Sequence, residues 1–291
     1  MMSTLLTVAA KARRNDRTTE IDRLSTDDVL QLIHQEDVAA HDAVAHCLPD
    51  VARVVEHAVA ALSRGGRVVI IGAGASGELA QQTINDFAPD SQTQVRCIAV
   101  NDTHADDYDG GIGALQAINF NHNDVLLALT LSGKTPWVWG ALRQANETGA
   151  MVAVLTSDQH SEAASLGDIV IAPPTGAEVV AGYGNPKARR AQQSILTMLT
   201  TTLAIRSGRV YSNLRVDIPA TENKWQERQI AIVMAASDCS RKEAKAALAS
   251  CNQQCKTAIL MLLSGMDAWD ASEALQRNNG HLRLALKEKK G

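Results

Sequence analysis

The segment Arg67-Val-Val-Ile-Ile-Gly-Ala-Gly-Ala-Ser-Gly-Glu-Leu-Ala80 restricts the possible folds more than any other stretch of the chain. Arg67 to Ile71 is a short β-branched apolar run, the pattern of a strand covered on both faces. Gly72, Gly74 and Gly77 then permit a tight turn and a close approach of backbone, and Glu78–Phe87 reads as a helix. Strand, glycine turn and helix N-terminus in succession make an anion site. The first N–H groups of the helix have no intrahelical acceptor, and the helix dipole points at the same spot. Ser76 adds a hydroxyl there. The same glycines also fit the dinucleotide pattern G-x-G-x-x-G. That reading needs an Asp or Glu at the end of a second strand about 20 residues on, to hold a ribose. Here the second strand ends later, in Val100-Asn101-Asp102.

Five runs read as buried strands: Arg67–Gly72, Val95–Val100, Asp124–Leu131, Met151–Thr156 and Asp168–Ala172. Helical segments at Glu78–Phe87, Pro136–Thr148 and Ser161–Leu166 separate most of them. The alternation predicts an α/β fold, a doubly wound parallel sheet with helices on both faces. For five strands the flavodoxin-like order 2-1-3-4-5 is expected, with ligands at the carboxyl ends where the order reverses.

Ahead of the sheet, Ser25 or Thr26 caps a helix that reaches Asp37, and a longer amphipathic helix spans about Val38–Leu62 before Arg64-Gly65-Gly66 ends it. Residues 1–24 are polar and basic, an arm expected to lie over another surface or subunit. After the sheet, Ala188–Ser207 is a long apolar helix and Asn213–Pro219 is extended. Beyond Thr221 the chain is helical, with a capping box at Ser240-Arg-Lys-Glu243 and a stop at Asn279-Gly280. The expected organisation is an N-terminal arm and helices in 1–62, a sheet domain in 63–221 and a small helical bundle in 222–291.

A net charge of −4 and an aromatic content of 3% argue against a nucleic-acid partner, which calls for a basic face or stacking platforms. Cys47, Cys97, Cys239, Cys251 and Cys255 are scattered; Cys251 and Cys255 stand four apart with no matching His or Cys pair, so reduced thiols and no metal are expected. No apolar h-region follows Arg13-Arg14 and no run approaches a membrane span, which predicts a cytoplasmic protein without membrane partners.

The loop after the third strand, Thr130-Leu-Ser-Gly-Lys-Thr-Pro136, again joins a buried strand to a helix and carries Ser132, Lys134 and Thr135. The fourth strand ends in Thr156-Ser157 before another helix. Hydroxyls at such places are common N-caps. Two glycine-bearing loops with a Lys in adjacent crossovers point further, to an anionic ligand such as phosphate. Thr175-Gly-Ala-Glu178 fits a capping box, and Lys187 reads either as solvated surface or as a ligand contact. Acid–base candidates are Asp86, two or three turns into the first crossover helix, and Asp102, Asp106, Asp107 and Asp109 after strand two. Two carboxyls can share a reaction as acid and base; the alternative for the second group is a solvated turn around Gly110-Gly111.

Together these residues resemble the sugar isomerase (SIS) domain and, more closely, the N-acetylmuramic acid 6-phosphate etherases, over nearly the whole chain. Arg14-Asn15, Glu20-Ile-Asp-Arg-Leu-Ser-Thr26 and Glu36-Asp37 resemble the family's start, and Gly72-Ala-Gly-Ala-Ser-Gly77 and Ser132-Gly-Lys-Thr-Pro136 its two phosphosugar loops. Gly176-Ala-Glu-Val-Val180, Lys187, Ser207-Gly-Arg-Val210 and Cys255-Lys-Thr-Ala258 continue the match. The resemblance implies cleavage of the D-lactyl ether of N-acetylmuramic acid 6-phosphate, without metal or organic cofactor, by a homodimer. It implies phosphosugar binding by Gly74, Ala75, Ser76, Ser132, Gly133, Lys134, Thr135, Glu178 and Lys187. The family's catalytic Glu positions carry Asp here: Asp86 in Asn85-Asp-Phe-Ala-Pro89, and Asp106 or Asp107 in a shorter connection. Two other activities remain open on the same residues, a phosphosugar isomerase and a sugar-phosphate-binding regulator.

Overall fold

The computed structural model describes residues 14–87, 94–218 and 223–288. The chain forms two compact units, Met1–Thr200 and Thr201–Gly291.

The first unit opens with two short 3-10 turns, Asp16–Thr18 and Ile21–Arg23, and then helix α1, Thr26–Ala43, capped by the Ser25 hydroxyl on the Asp28 N–H. A second helix does not begin at Val38 as the sequence suggested. α1 runs on to Ala43, a 3-10 turn covers Val44–Cys47, and α2 occupies Leu48–Ser63. The break falls where it does because Pro49 lacks an N–H and is tolerated only in a first helical turn.

The sheet and its crossovers follow in order: β1 (Val68–Ala73), α3 (Gly74–Phe87), β2 (Val95–Val100), α4 (Tyr108–Ala117), β3 (Val125–Leu129), α5 (Pro136–Glu147), β4 (Met151–Leu155), α6 (Glu162–Ser165) and β5 (Ile169–Ile171). All pairings are parallel and the order is β2-β1-β3-β4-β5, as expected. One face of the sheet, Val69, Ile71, Leu126, Ala128, Val152 and Val154, packs against Leu115 of α4 and Trp137, Val138, Ala141 and Leu142 of α5. On the other, α2 lies against β5, β1 and β3. Both faces being covered is why the strands read as unbroken apolar runs rather than alternating ones. Removing a side chain such as Leu127, fully buried, would cost about 2–5 kcal/mol.

The starts of β1 and β3 are locked by Arg67 and Asp124. The guanidinium reaches Asp124 Oδ2 at 2.6 Å and the Arg67 N–H reaches Oδ1 at 2.8 Å, while Nη1 also binds the Ile118 carbonyl. Burial alone would raise the Asp124 carboxyl; the Arg67 side chain and the N–H groups of Asn121 and Arg67 outweigh it and hold the group below the ordinary aspartate range.

Helix α7 (Pro186–Arg206) crosses the division between the units. The second unit then carries a short hairpin of β6 (Val210–Tyr211) and β7 (Leu214–Arg215) and five helices: α8 (Asn223–Ser237), α9 (Arg241–Ser250), α10 (Cys255–Ser264), α11 (Ala268–Arg277) and α12 (Leu282–Glu288). Ser240 and Glu243 form the reciprocal capping box read from the sequence. Its own core is built on Val233, Leu248, Ala258, Ile259, Leu260 and Ala274. Pro219 and Thr221 lie outside the described residues.

Candidate active site

The chain passes from β1 to β2 on one side and returns to β3 on the other, so the order reverses between β1 and β3. Gly72 pairs with Leu129, which sets the two following loops side by side at the carboxyl edge. In the first loop Gly74 has φ +54°, the left-handed region that favours glycine. Gly72 and Gly77 let strand and helix touch: a Cβ on Gly77 would lie 2.7 Å from the Gly72 carbonyl oxygen. Ser76 is buried on α3 and Ala75 half-buried beside it.

The second loop is held from below. The Thr130 hydroxyl accepts from the Gly133 N–H at 3.1 Å, and the Ser132 hydroxyl accepts from the Lys134 N–H at 3.3 Å. The Gly133 carbonyl accepts from Trp139 Nε1 (2.8 Å) and the Ala163 N–H (3.1 Å). Gly133 has φ +65°, and a Cβ there would meet Ser161 Oγ at 2.0 Å. Thr135 stands at the N-cap of α5, yet its side chain caps nothing. The capping explanation therefore does not account for this hydroxyl, whereas it does account for Ser161, which accepts from the Ala164 N–H. Thr156, at the end of β4, is wholly buried and serves the Leu131 carbonyl and the Asp158 N–H.

The connection after β2 is not a flexible turn. Asp109, Gly110 and Gly111 lie within α4, an element the sequence did not reveal because glycine is a poor helix former. Here glycine is required by packing. A Cβ on Gly111 would lie 1.9 Å from the Trp137 carbonyl oxygen, and one on Gly140 would lie 2.0 Å from that of Tyr108. The Trp137 N–H, at the start of α5, donates to the Ala105 carbonyl at 2.9 Å. Asp106 is thereby tied to the second loop; its carboxylate is exposed. Asp107 is the N-cap of α4 and accepts from the Gly110 N–H at 2.8 Å, a structural duty. Asp86 is exposed twelve residues beyond Gly74 on one continuous helix, roughly 18 Å along the axis at about 1.5 Å per residue.

Thr175–Glu178 opens no helix. The Glu178 carboxylate instead accepts from the N–H groups of Lys187 (3.1 Å) and Ala188 (3.2 Å), capping α7 from nine residues upstream. Lys187 is not surface either. Its ammonium sits 2.6 Å from Glu36 Oε2 and 2.9 Å from the Ala177 carbonyl, with both side chains buried. Asn15 and Arg17 complete the shell around Glu36, at 2.7 and 2.8 Å. The described part of the N-terminal arm thus packs on its own unit, and the Thr18 hydroxyl donates to the Val179 carbonyl. Further along α7, Gln192 donates to the Thr130 and Leu155 carbonyls under the second loop. Sequence patterns gave no signal for Gln192, since a buried polar residue on a helix looks like an exposed one, nor for Asn15 and Arg17 as partners of Glu36, which only folding brings to it. No group of three His, Cys, Asp or Glu among the described residues is arranged to hold a metal.

A parallel sheet with two hydroxyl-bearing loops at its reversal point is a design for holding a small anionic ligand, and residues 61–202 match the SIS domain family. A crystal structure of a putative phosphosugar isomerase involved in capsule formation from Bacteroides fragilis superposes with a TM-score of 0.52 at 20% identity, over 65% of this chain and 95% of that one; the shared feature is the fold. N-acetylmuramic acid 6-phosphate etherases from Klebsiella aerogenes and Photobacterium profundum are each 41% identical, covering 98% and 94% of this chain and 99% and 95% of their own lengths. The chain belongs to the N-acetylmuramic acid 6-phosphate etherase family. Among the described residues no helix is long and apolar enough to cross a membrane.

Proposed function

We propose that the protein cleaves the D-lactyl ether of N-acetylmuramic acid 6-phosphate, giving N-acetylglucosamine 6-phosphate and D-lactate. The observation that carries this is the pair of loops, Gly74–Ser76 and Ser132–Thr135, side by side at the switch point of a chain about 40% identical to named etherases along nearly its full length. Ser132, Lys134, Thr135 and the N–H groups at the start of α5 bind the phosphate, and Gly74, Ala75 and Ser76 at the start of α3 contact the sugar. With the sugar ring open, a base removes the proton next to C1, the ether bond breaks as lactate leaves with a proton from an acid, and water adds to the unsaturated aldehyde. Asp106, tethered through Ala105 to the second loop, is the base; Asp86 is the acid. Asp107 positions the connection by capping α4. Glu178 and Lys187 act through the segment they hold rather than as open ligands.

Asp86 stands a helix length from the first loop of its own copy, farther than a six-carbon sugar phosphate extends. We assign it to the site of a second copy in a homodimer. A cytoplasmic role in recycling peptidoglycan sugars accords with this chemistry.

Incubation with N-acetylmuramic acid 6-phosphate should release D-lactate. Mixing Asp86→Ala and Asp106→Ala chains should restore part of the activity that each lacks alone. Absence of lactate at high enzyme concentration overturns the reaction; no restoration on mixing overturns the shared site.

A further inference from the structure

Asp102, two residues beyond the end of β2, has an unusual place. Its Oδ1 lies 1.9 Å, and its Cγ 2.9 Å, from where a Cβ on Gly74 would stand, so the carboxylate packs directly on the backbone that starts α3. Among the described residues its side chain has no hydrogen-bond or ion-pair partner, and the residue is exposed. The neighbouring loop carries the opposite charge: Lys134 is exposed and forms no ion pair among the described residues. The two loops follow strands that are hydrogen-bonded neighbours, a spacing of about 4.8 Å. Asp102 follows β2 and Lys134 follows β3, so the two opposite charges stand on either side of the first loop, which follows β1 between them.

We propose that Asp102 is a specificity-determining residue that touches the sugar. Its charge keeps the phosphate away from the N-terminus of α3 and leaves it the Ser132–Thr135 loop. Its oxygens, which can only accept, take a hydrogen bond from the sugar's amide N–H or a hydroxyl. Gly74 is then needed twice, for its left-handed φ and for the room that Asp102 occupies. The fold alone offers two anion-binding helix starts side by side; Asp102 removes that symmetry and gives the substrate one direction. The inference rests on the phosphosugar reading of the two loops and adds the orientation to it.

The test is calorimetric titration of the full chain and of Asp102→Asn with inorganic phosphate and with N-acetylglucosamine 6-phosphate. The substitution keeps the shape and removes the charge, and a thermal melt checks that the fold is retained. The variant should bind inorganic phosphate about tenfold more tightly, as like-charge repulsion is lifted, and the sugar phosphate about tenfold more weakly, as a strong acceptor is lost. Opposite shifts support the role; unchanged affinities, or shifts in the same direction, overturn it. If the unaltered protein binds no sugar phosphate at all, the phosphosugar reading itself falls, a result distinct from failure of Asp102 alone.

Discussion

Lys187 and Glu36 are 151 residues apart in sequence and 2.6 Å apart in space, with 3% and 5% of their side chains exposed. This pair fastens the start of α7 to α1 and to the segment at Ala177. The same helix carries Gln192 beneath the second loop, so the ion pair stands at one end of a line of contacts that ends at Thr130 and Gly133. Removing the Lys187 ammonium leaves the buried Glu36 carboxylate with only Asn15 and the largely exposed Arg17, so Lys187→Ala should lower unfolding free energy by up to about 3–5 kcal/mol in a urea titration. Replacing both, as Lys187→Met with Glu36→Leu, should recover much of that loss.

The same network makes stability depend on acid. Burial by itself would raise the Glu36 carboxyl, but Lys187, Asn15 and Arg17 hold it below the ordinary glutamate range. A depressed folded-state pKa means the contribution is complete above the unfolded value and is lost as the pH falls through the folded one. Melting temperatures should therefore hold above about pH 5 and fall below about pH 4, where unfolded glutamate begins to take up protons. Asp124 beside Arg67 adds to the fall in the same direction. Glu36→Gln should flatten the acid limb of the curve.

Close helix contact at Gly111 and Gly140 admits no methyl group. Gly140→Ala drives a Cβ to 2.0 Å from the Tyr108 carbonyl oxygen, backbone that cannot swing aside. Stability should drop by about 1–3 kcal/mol, the usual cost of overpacking. Because α4 and α5 position Asp106, turnover should fall more than sugar-phosphate affinity, seen as a larger loss in kcat than rise in KM.

Adjacent aspartates should separate by role. Asp107→Ala removes the N-cap of α4 and should cost about 1 kcal/mol in a thermal melt. Asp106→Asn should leave the melt unchanged and reduce D-lactate release by about 100-fold or more, the scale of a lost general base.

Among the described residues the Ser132 hydroxyl has no structural duty beyond the Lys134 N–H within its own turn. Ser132→Ala should weaken binding of N-acetylglucosamine 6-phosphate by about 1–3 kcal/mol by calorimetry, the cost of losing a hydrogen bond to a charged group.

Much of this molecule was legible in its sequence, and for a local reason. The strands β1 to β5, their crossover helices except α4, and the two loops depend on apolar runs, glycine and proline, which constrain neighbouring backbone whatever lies farther off. Parallel pairing then follows from the alternation of strand and helix. The misread parts depend on what packs against them. Gly110 and Gly111 look like a turn until Trp137 of α5 is placed 26 residues later in the chain, when only glycine fits the helix contact. Glu178 looks like half of a capping box until α7 brings its N–H groups to the carboxylate. Lys187 reads as surface until α1 supplies Glu36. Sequence by itself determined where the backbone could turn and where an anion could sit, since those are properties of a few adjacent residues. Tertiary structure decided which polar side chains face the ligand and which are consumed in holding the frame, because that turns on partners brought together only by folding.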